Sequence, residues 1–415
     1  MRAEILAVGT EILLGDIVNT NAQYISKRLA DLGIDVYYQG VVGDNPERLK
    51  DALQLAFSRS NLVITTGGLG PTKDDLTKET VFEYFNKKTV LHEESLKAIK
   101  EYFKSTNRVM PENNIKQAYF PENSIIMTNK NGTAPGCIIE NKNKIIAVFP
   151  GPPREMKPMF EEALVPYLEK FQSSILYSKV LRVMGLGESK AAEMIQDIID
   201  NQTNPTVAPY AKEGEVTFRI TAKANTQEEA KNMIKPMENE IRGRLGINVY
   251  GVGDTDIESE VAKILIKNKL TLSTAESCTG GLLCGKFINY PGISSVLLEG
   301  AVTYSNEAKM RRLGVKKETL DIHGAVSSET AAEMAKGIAQ AAGTDIGIST
   351  TGIAGPGGGT KEKPVGLVYV GLYIKGEIKT IKLQLNGERQ RIRNHTVIKS
   401  IDWLRRELIN KNYSI

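Results

Sequence analysis

The sequence predicts an α/β protein. It should hold a doubly wound, mostly parallel N-terminal sheet, a small α+β unit in the middle, and a C-terminal α/β unit. Three observations carry that expectation. Short apolar runs alternate with amphipathic helical stretches from residue 3 onward, as when crossover helices join the strands of a parallel sheet. The alternation breaks between about 174 and 250 and then resumes. At 415 residues the chain exceeds one typical core, so two or three domains are expected.

Taken in order, residues 3–8 read as an apolar strand and 9–11 as a turn. Residues 19–32 read as an amphipathic helix closed by Gly33. A strand at 34–42, a helix at 46–58 opened by Pro46 and a strand at 62–66 follow. A later strand at 144–149 runs into Pro150-Gly151-Pro152-Pro153 and a helix to about 171. In the middle unit 177–184, 216–224 and 246–249 read as strands, and 188–200 and 226–245 as helices. Asn204-Pro205-Thr206 and Ala208-Pro209 mark loops there. The polar joint 251–256 opens the last unit. That unit reads helix 257–268, strand 270–275, helix 279–288, strand 296–304, a helix from 307 and a helix at 328–342. A strand at 346–350, a hairpin of 365–374 with 378–385, and a closing helix at 388–409 complete it. The expected domains are 1–172, 173–252 and 253–415.

Composition excludes several classes. A hydrophobic fraction of 41% with 25% charged residues is that of an ordinary globular protein. A net charge of +4 over this length gives no warrant for nucleic-acid binding. Three cysteines without a CxxC pair and three scattered histidines fit neither a disulfide framework nor a zinc site. Glu4 and Glu11 interrupt the first apolar stretch, which makes a poor signal peptide, and no run reaches the roughly 20 apolar residues of a membrane span. A cytoplasmic protein with no membrane partner is expected.

The chemistry concentrates on strand ends. Thr274-Ala275-Glu276-Ser277-Cys278-Thr279-Gly280-Gly281 puts a hydroxyl and a thiol between a strand and a helix, where open α/β sheets bind ligands. The N–H groups of that helix start favour a developing oxyanion, and Gly280-Gly281 lets a substrate approach the backbone. On these residues alone, Ser277 and Thr279 read at least as well as helix caps. Two more loops belong to the same unit, Thr303–Lys309 and Thr351–Thr360. No Asp/His pair accompanies Ser277, so a serine nucleophile needs another base, and a desolvated Lys309 is the candidate. Cys278 is the rival, although a thiol without a histidine partner more often behaves as a small hydrophobe. Arg311 and Arg312 belong to a basic run that reads as a solvated face.

In the first unit the loop 65–77 again joins strand to helix. Its glycines can present N–H groups to a phosphate, and Asp74 and Asp75 are hard oxygen donors suited to a divalent cation. Asp44 and Glu11 follow neighbouring strands and fall on the same sheet edge. Together these suit metal-assisted attack on a phosphate ester or anhydride, whereas each acid taken singly reads as a helix cap. A Walker P-loop is absent. The middle unit has the size and element order of a KH domain, but Gly185-Leu186-Gly187-Glu188 is the nearest match to a GxxG loop and carries an acid.

The chain is identified as a member of the CinA family, the similarity covering essentially its whole length. Its last part resembles nicotinamide mononucleotide deamidase through TAESCTGG (274–281), VTYSNEAK (302–309), HGAVS (323–327), GIAGPGGG (352–359) and KPVG (363–366). Its first part resembles the molybdopterin-binding fold through GTEILLGD (9–16), TTGGLGPTKDD (65–75) and FPGPPREM (149–156), and the middle matches a KH-like segment. The resemblance implies Ser277 as nucleophile, Lys309 as its base, Tyr304 orienting the pair and Ser295 assisting. It implies a substrate site of Thr279, Gly280, Gly281, Gly352 and Gly355, with Arg389 on the phosphate, and no cofactor for this domain. For the first domain it implies hydrolysis of ADP-ribose with a divalent metal held by Asp75, Asp44, Asp74 and Glu11, beside Gly67, Gly68, Gly70 and Thr72. The expected partners are therefore small nucleotides, with the chain as a homodimer. Two other readings stand beside these. The first domain is a non-catalytic nucleotide- or pterin-binding module, or the whole chain is an interaction protein of DNA uptake or damage response.

Overall fold

Strand β1 (Arg2–Val8) is buried at every position after Arg2, as a strand covered on both faces must be. In the computed structural model residues 1–171, 175–212 and 214–413 are described, so the expected boundary at 172–173 lies outside them. Packing divides the chain into two units, Met1–Ser178 with Thr221–Met233, and Lys179–Ile220 with Ile234–Ile415.

The first unit continues with α1 (Thr10–Leu14), α2 (Thr20–Asp31), β2 (Asp35–Val42), α3 (Pro46–Arg59), β3 (Leu62–Thr66) and α4 (Thr77–Tyr84). Then come β4 (Thr89–Leu91), α5 (Glu93–Ser105), β5 (Tyr119–Pro121), β6 (Ile125–Met127), β7 (Gly136–Asn141), β8 (Lys144–Phe149), α6 (Pro153–Met159) and α7 (Val165–Glu169). The large sheet has the order β2-β1-β3-β8-β7-β6. Its first four strands are parallel, and β7 and β6 add antiparallel. Period-two alternation sends Ala3, Ile5, Leu62 and Ile64 to one face, against α2, α6 and α7. Leu6, Val8 and Val63 go to the other, against α3 and α4. Asn19 caps α2 and Asn45 caps α3 ahead of Pro46. The expected turn at 9–11 is instead the start of α1, because the Asp44 carboxylate accepts from both the amide and the hydroxyl of Thr10.

Residues 175–252 hold β9 (Ile175–Val183), α8 (Glu188–Glu193), α9 (Gln196–Asp200), β10 (Thr206–Lys212), β11 (Glu215–Ala224), α10 (Gln227–Leu245) and β12 (Val249–Val252). Their sheet order is β10-β11-β9-β12. The expected loop at Ala208-Pro209 is strand, and an edge strand tolerates a proline because one of its sides needs no N–H donors. The expected strand at 246–249 is a single 3-10 turn, Gly246–Asn248, with β12 starting only at Val249.

The last part runs α11 (Ile257–Lys267), β13 (Leu272–Glu276), α12 (Leu282–Ile288), β14 (Leu297–Val302), α13 (Asn306–Leu313), α14 (Lys317–His323) and α15 (Ser328–Ala342). It ends with β15 (Ile346–Gly352), β16 (Leu367–Ile374), β17 (Glu377–Gln384) and α16 (Arg389–Asn410). The sheet order is β14-β13-β15-β16-β17, with the first three strands parallel and the rest antiparallel. Helices α11, α12 and α16 cover one face through Val261, Leu283 and Ile401, while Met334 and Ile338 of α15 cover the other against Ala275. His323 ends α14. Helix α12 starts at Leu282 and not at 279, because Gly280 and Gly281 take φ of 61° and 93°, which no helix accommodates. Among the described residues no helix is long and apolar enough to cross a membrane.

Candidate active site

Strands β13, β14 and β15 are parallel neighbours, so the loops leaving them emerge on one sheet edge. Two backbone bonds stitch those loops together. The amide of Ser277 donates to Thr350 O at 2.9 Å and that of Thr303 to Glu276 O at 2.8 Å. Ser305 caps α13 by accepting from Ala308 N, which fixes the first turn of the helix and the Lys309 it carries. Lys309 Nζ then lies 3.2 Å from Ser277 Oγ, 3.0 Å from Thr303 O and 3.1 Å from Tyr304 O.

Lys309 is 1% exposed. Burial pulls its pKa below the usual lysine value, opposed by Cys278 and Glu307. Carbonyls only accept, so those of Thr303 and Tyr304 take two N–H groups. The third position of the amine faces Ser277, and on a neutral amine that position is a lone pair. Arg311 and Arg312 are not among the causes of that shift, and Arg312 pairs with Glu299. The Cys278 thiol is buried and is pushed up to about 12 by desolvation, so it stays protonated near neutrality.

The caps expected of Ser277 and Thr279 are absent, because Glu276 performs that task. Its buried carboxylate accepts from the amides of Gly281 (2.9 Å), Leu283 (3.0 Å) and Cys284 (2.8 Å), and from Thr279 Oγ1 (2.6 Å). The start of α12 is therefore filled by the chain's own anion and offers a substrate nothing. Thr279 is fully buried, its hydroxyl also meeting that of Thr350 at 2.7 Å, so its side chain holds the loop and does not face a ligand.

The remaining expected residues divide. Tyr304 meets Lys309 through its main-chain carbonyl. Its ring is 64% exposed and its hydroxyl lies 3.4 Å from Arg389, so the side chain does not orient the Ser277–Lys309 pair. Arg389 also donates to Gly355 O at 2.8 Å, which brings it to the same edge as the pair. Gly352 ends β15 tight against Val368 of β16. Ser295 is misplaced: it precedes β14, at the far end of the sheet, with its hydroxyl on Gly292 O. The length of β13, about 16 Å of extended chain, separates it from Ser277. His323 is paired through its carbonyl with Lys363 and takes no part. The sequence reading missed Arg393, whose Nε lies 3.2 Å from Cys278 O and whose Nη2 lies 2.8 Å from Thr279 O. A helical i, i+4 spacing to Arg389 was the available signal.

In the first unit the glycine loop is packed against the protein itself. A Cβ on Gly67 would meet Val8 O at 1.9 Å, on Gly68 Thr77 Oγ1 at 2.1 Å, and on Gly70 Asp75 Oδ2 at 2.3 Å. These glycines allow close packing of the chain before any cradling of phosphate. The four acids do not assemble into a cation site. Asp44 is committed to Thr10, Asp75 accepts from the amide and hydroxyl of Thr72, and Asp74 and Glu11 are exposed. Among the described residues no group of three or more His, Cys, Asp or Glu side chains is placed to hold a metal ion, so the donor set does not fit a divalent cation as it stands. A cavity of about 290 Å³ lies at the ends of β1 and β3, lined by Val8, Glu11, Ile12, Asn21, Thr66 and Gly151 among others. Also missed was Lys78, buried in α4 with Nζ 2.7 Å from Gln117 O and 4.1 Å from the centre of the Phe120 ring.

Comparison with known proteins places three family matches on the chain. Residues 4–170 match the family described as "Probable molybdopterin binding domain", 178–251 the "Damage-inducible protein CinA KH domain", and 254–408 the "CinA C-terminal domain". A competence-damage inducible protein of Clostridium novyi (strain NT) is 68% identical over 411 residues, 99% of each chain. One of Clostridium acetobutylicum is 64% identical over 410 residues, 99% of this chain and all of that one. The solved structure of a competence/damage inducible protein from Agrobacterium tumefaciens is 40% identical over 36% of this chain and 94% of its own, with a TM-score of 0.35.

Proposed function

The chain belongs to the CinA family of competence-damage inducible proteins, and from that premise we propose that its C-terminal part is a serine–lysine amidohydrolase that deamidates nicotinamide mononucleotide. One observation carries the reading: a buried amine, its pKa lowered by desolvation, 3.2 Å from a serine hydroxyl at a strand end. Ser277 Oγ attacks the carboxamide carbon and its proton passes to Lys309 Nζ. The carbon–nitrogen bond then breaks, the proton leaves with the departing amine, and ammonia is released. Water attacks the resulting ester, giving its proton to Lys309, which returns one to Ser277 as nicotinate mononucleotide departs. Arg389 holds the phosphate, and its position beside Gly355 and Tyr304 supports that role. An ammonia-release assay with nicotinamide mononucleotide tests the proposal. Absence of ammonia would instead favour an interaction protein of DNA uptake or damage response.

For the first domain the resemblance supports binding and hydrolysis of ADP-ribose. A specific observation favours binding without turnover: the acids that would hold a metal are dispersed or committed to Thr10 and Thr72. Equilibrium dialysis with ADP-ribose, run beside a turnover assay with added divalent ion and with chelator, separates the two. Turnover that needs the ion and is lost in Asp75→Asn would establish the hydrolase.

A further inference from the structure

Arg393 follows Arg389 by one helical turn on α16, so both guanidinium groups leave the same side of the helix. Their contacts differ in kind. Arg389 bonds one carbonyl and a tyrosine hydroxyl, while Arg393 grips two successive carbonyls, those of Cys278 and Thr279, directly after the nucleophile. Its Nη1 also donates to Gln390 Oε1 at 3.2 Å. A planar guanidinium that spans two carbonyls fixes two peptide planes at once.

The amides of this turn can be accounted for one by one. Ser277 N donates to Thr350 O, Leu282 N to Thr279 O, and Gly281, Leu283 and Cys284 donate to Glu276. Among the described residues nothing accepts from the amide of Gly280, which is exposed and open to an acceptor from outside the chain, whereas Thr279 is 0% exposed and closed to one. The cis peptides among the described residues are Asn204-Pro205 and Gly355-Pro356, so both peptides here are trans. In a trans peptide the N–H points opposite to its own carbonyl. The carbonyls of Cys278 and Thr279 belong to the same planes as the N–H groups of Thr279 and Gly280. By drawing both carbonyls toward itself, Arg393 turns both N–H groups the other way.

We propose that Arg393 is a positioning residue that holds the Gly280 amide as a donor to the oxyanion formed when Ser277 attacks. The proposal rests on the deamidase reading. It is distinct from phosphate recognition, because the Nε and Nη2 donors of Arg393 are already committed to carbonyls.

The test compares Arg393→Ala, Arg393→Lys and Arg389→Ala in the full chain. Arg393→Ala should lower kcat about 10²-fold, the usual loss with an oxyanion donor, and leave KM within a few-fold. Arg389→Ala should instead raise KM. Arg393→Lys should fall between wild type and Arg393→Ala, since an ammonium cannot span two carbonyls in one plane, and added guanidinium should restore part of the Arg393→Ala rate. A pyridine boronic acid gives a second readout independent of turnover. Ser277 Oγ bonds to boron, its proton passes to Lys309, and the boron becomes a tetrahedral anion like the intermediate. Its affinity should drop with kcat in Arg393→Ala while that of nicotinate mononucleotide holds. Unchanged kcat and boronate affinity in both Arg393 variants would overturn the proposal alone. So would a loss confined to KM, or a loss of folding in both without guanidinium rescue. A wild-type chain that releases no ammonia would overturn the deamidase reading and this proposal together.

Discussion

The amine of Lys309 stands 3.2 Å from the hydroxyl of Ser277, and the same amine touches two carbonyl oxygens that can only accept. If it is charged, it donates three times and Ser277 is merely a hydrogen-bond acceptor. If it is neutral, its lone pair has one partner to turn to. The state of one proton therefore separates a structural lysine from a base.

That proton is measurable. Burial lowers the Lys309 pKa, and the base is the neutral form, so activity should climb as pH rises through the lowered value. The acidic limb of kcat/KM against pH should report this ionisation. Lys309→Arg keeps a permanent charge and should fail as badly as Lys309→Ala. Near-normal turnover by Lys309→Arg would remove the serine–lysine mechanism.

The nucleophile is tested by neighbours. Ser277→Ala should reduce deamidation by at least about 10³-fold. Cys278→Ser should keep most of the rate, because a thiol held at about 12 is not the attacking group. It should lower stability by roughly 1–3 kcal/mol for a buried hydroxyl without a partner. A dead Cys278 variant beside an active Ser277 variant would reverse the assignment.

A fragment beginning near Gly253 contains every strand of the C-terminal sheet and all three loops. It leaves behind the partners of two α16 arginines: Arg405 loses Ile247 O, and Arg406 loses Met184 O and Asn248 Oδ1. The fragment should therefore fold and deamidate, with a Tm several degrees below that of the corresponding transition in the full chain. An inactive or insoluble fragment beside an active full chain would show that residues 179–252 supply more than these contacts.

Lys78 gives the first unit a pH dependence of its own. Burial pulls its pKa down to about 8, below the unfolded value of about 10.4. Between those pH values the unfolded chain binds more protons, so stability should rise with pH across that window and lose this contribution below it. Relative to Lys78→Met, the full chain should gain roughly 3 kcal/mol from pH 8 to 10.4 in urea unfolding followed by circular dichroism. A flat difference would mean that the amine keeps its ordinary pKa.

What the sequence disclosed, and what it withheld, follows from how each residue acts. The alternation of strands and helices was readable because burial on both faces makes β1 and β3 short, largely apolar runs and burial on one face imposes a helical period on α2 and α3. Ser277 was legible as a candidate because its hydroxyl directly follows a strand, and Lys309 because its amine lies one turn into the helix after the next strand. Tyr304 meets Lys309 through its carbonyl and not its ring, a contact that its residue type does not announce. Ser295 failed because nearness in sequence to β14 put it at the wrong end of that strand. Arg393 was hidden because its partners are backbone atoms 114 and 115 residues away, and no residue type announces a carbonyl. The acids of the first unit matched a pattern, but local hydroxyls and amides had claimed Asp44 and Asp75.

Helix α16 holds Arg393, whereas the turn it braces lies more than a hundred residues earlier. Synthesis runs from the N-terminus, so a nascent chain that has already exposed Ser277 and Lys309 on the ribosome still lacks Arg393 and its grip on that turn. A chain clipped or stalled before residue 389 would lack both that grip and the apolar face with which Ile401 and Leu404 of α16 cover the sheet, leaving the turn after Ser277 unheld.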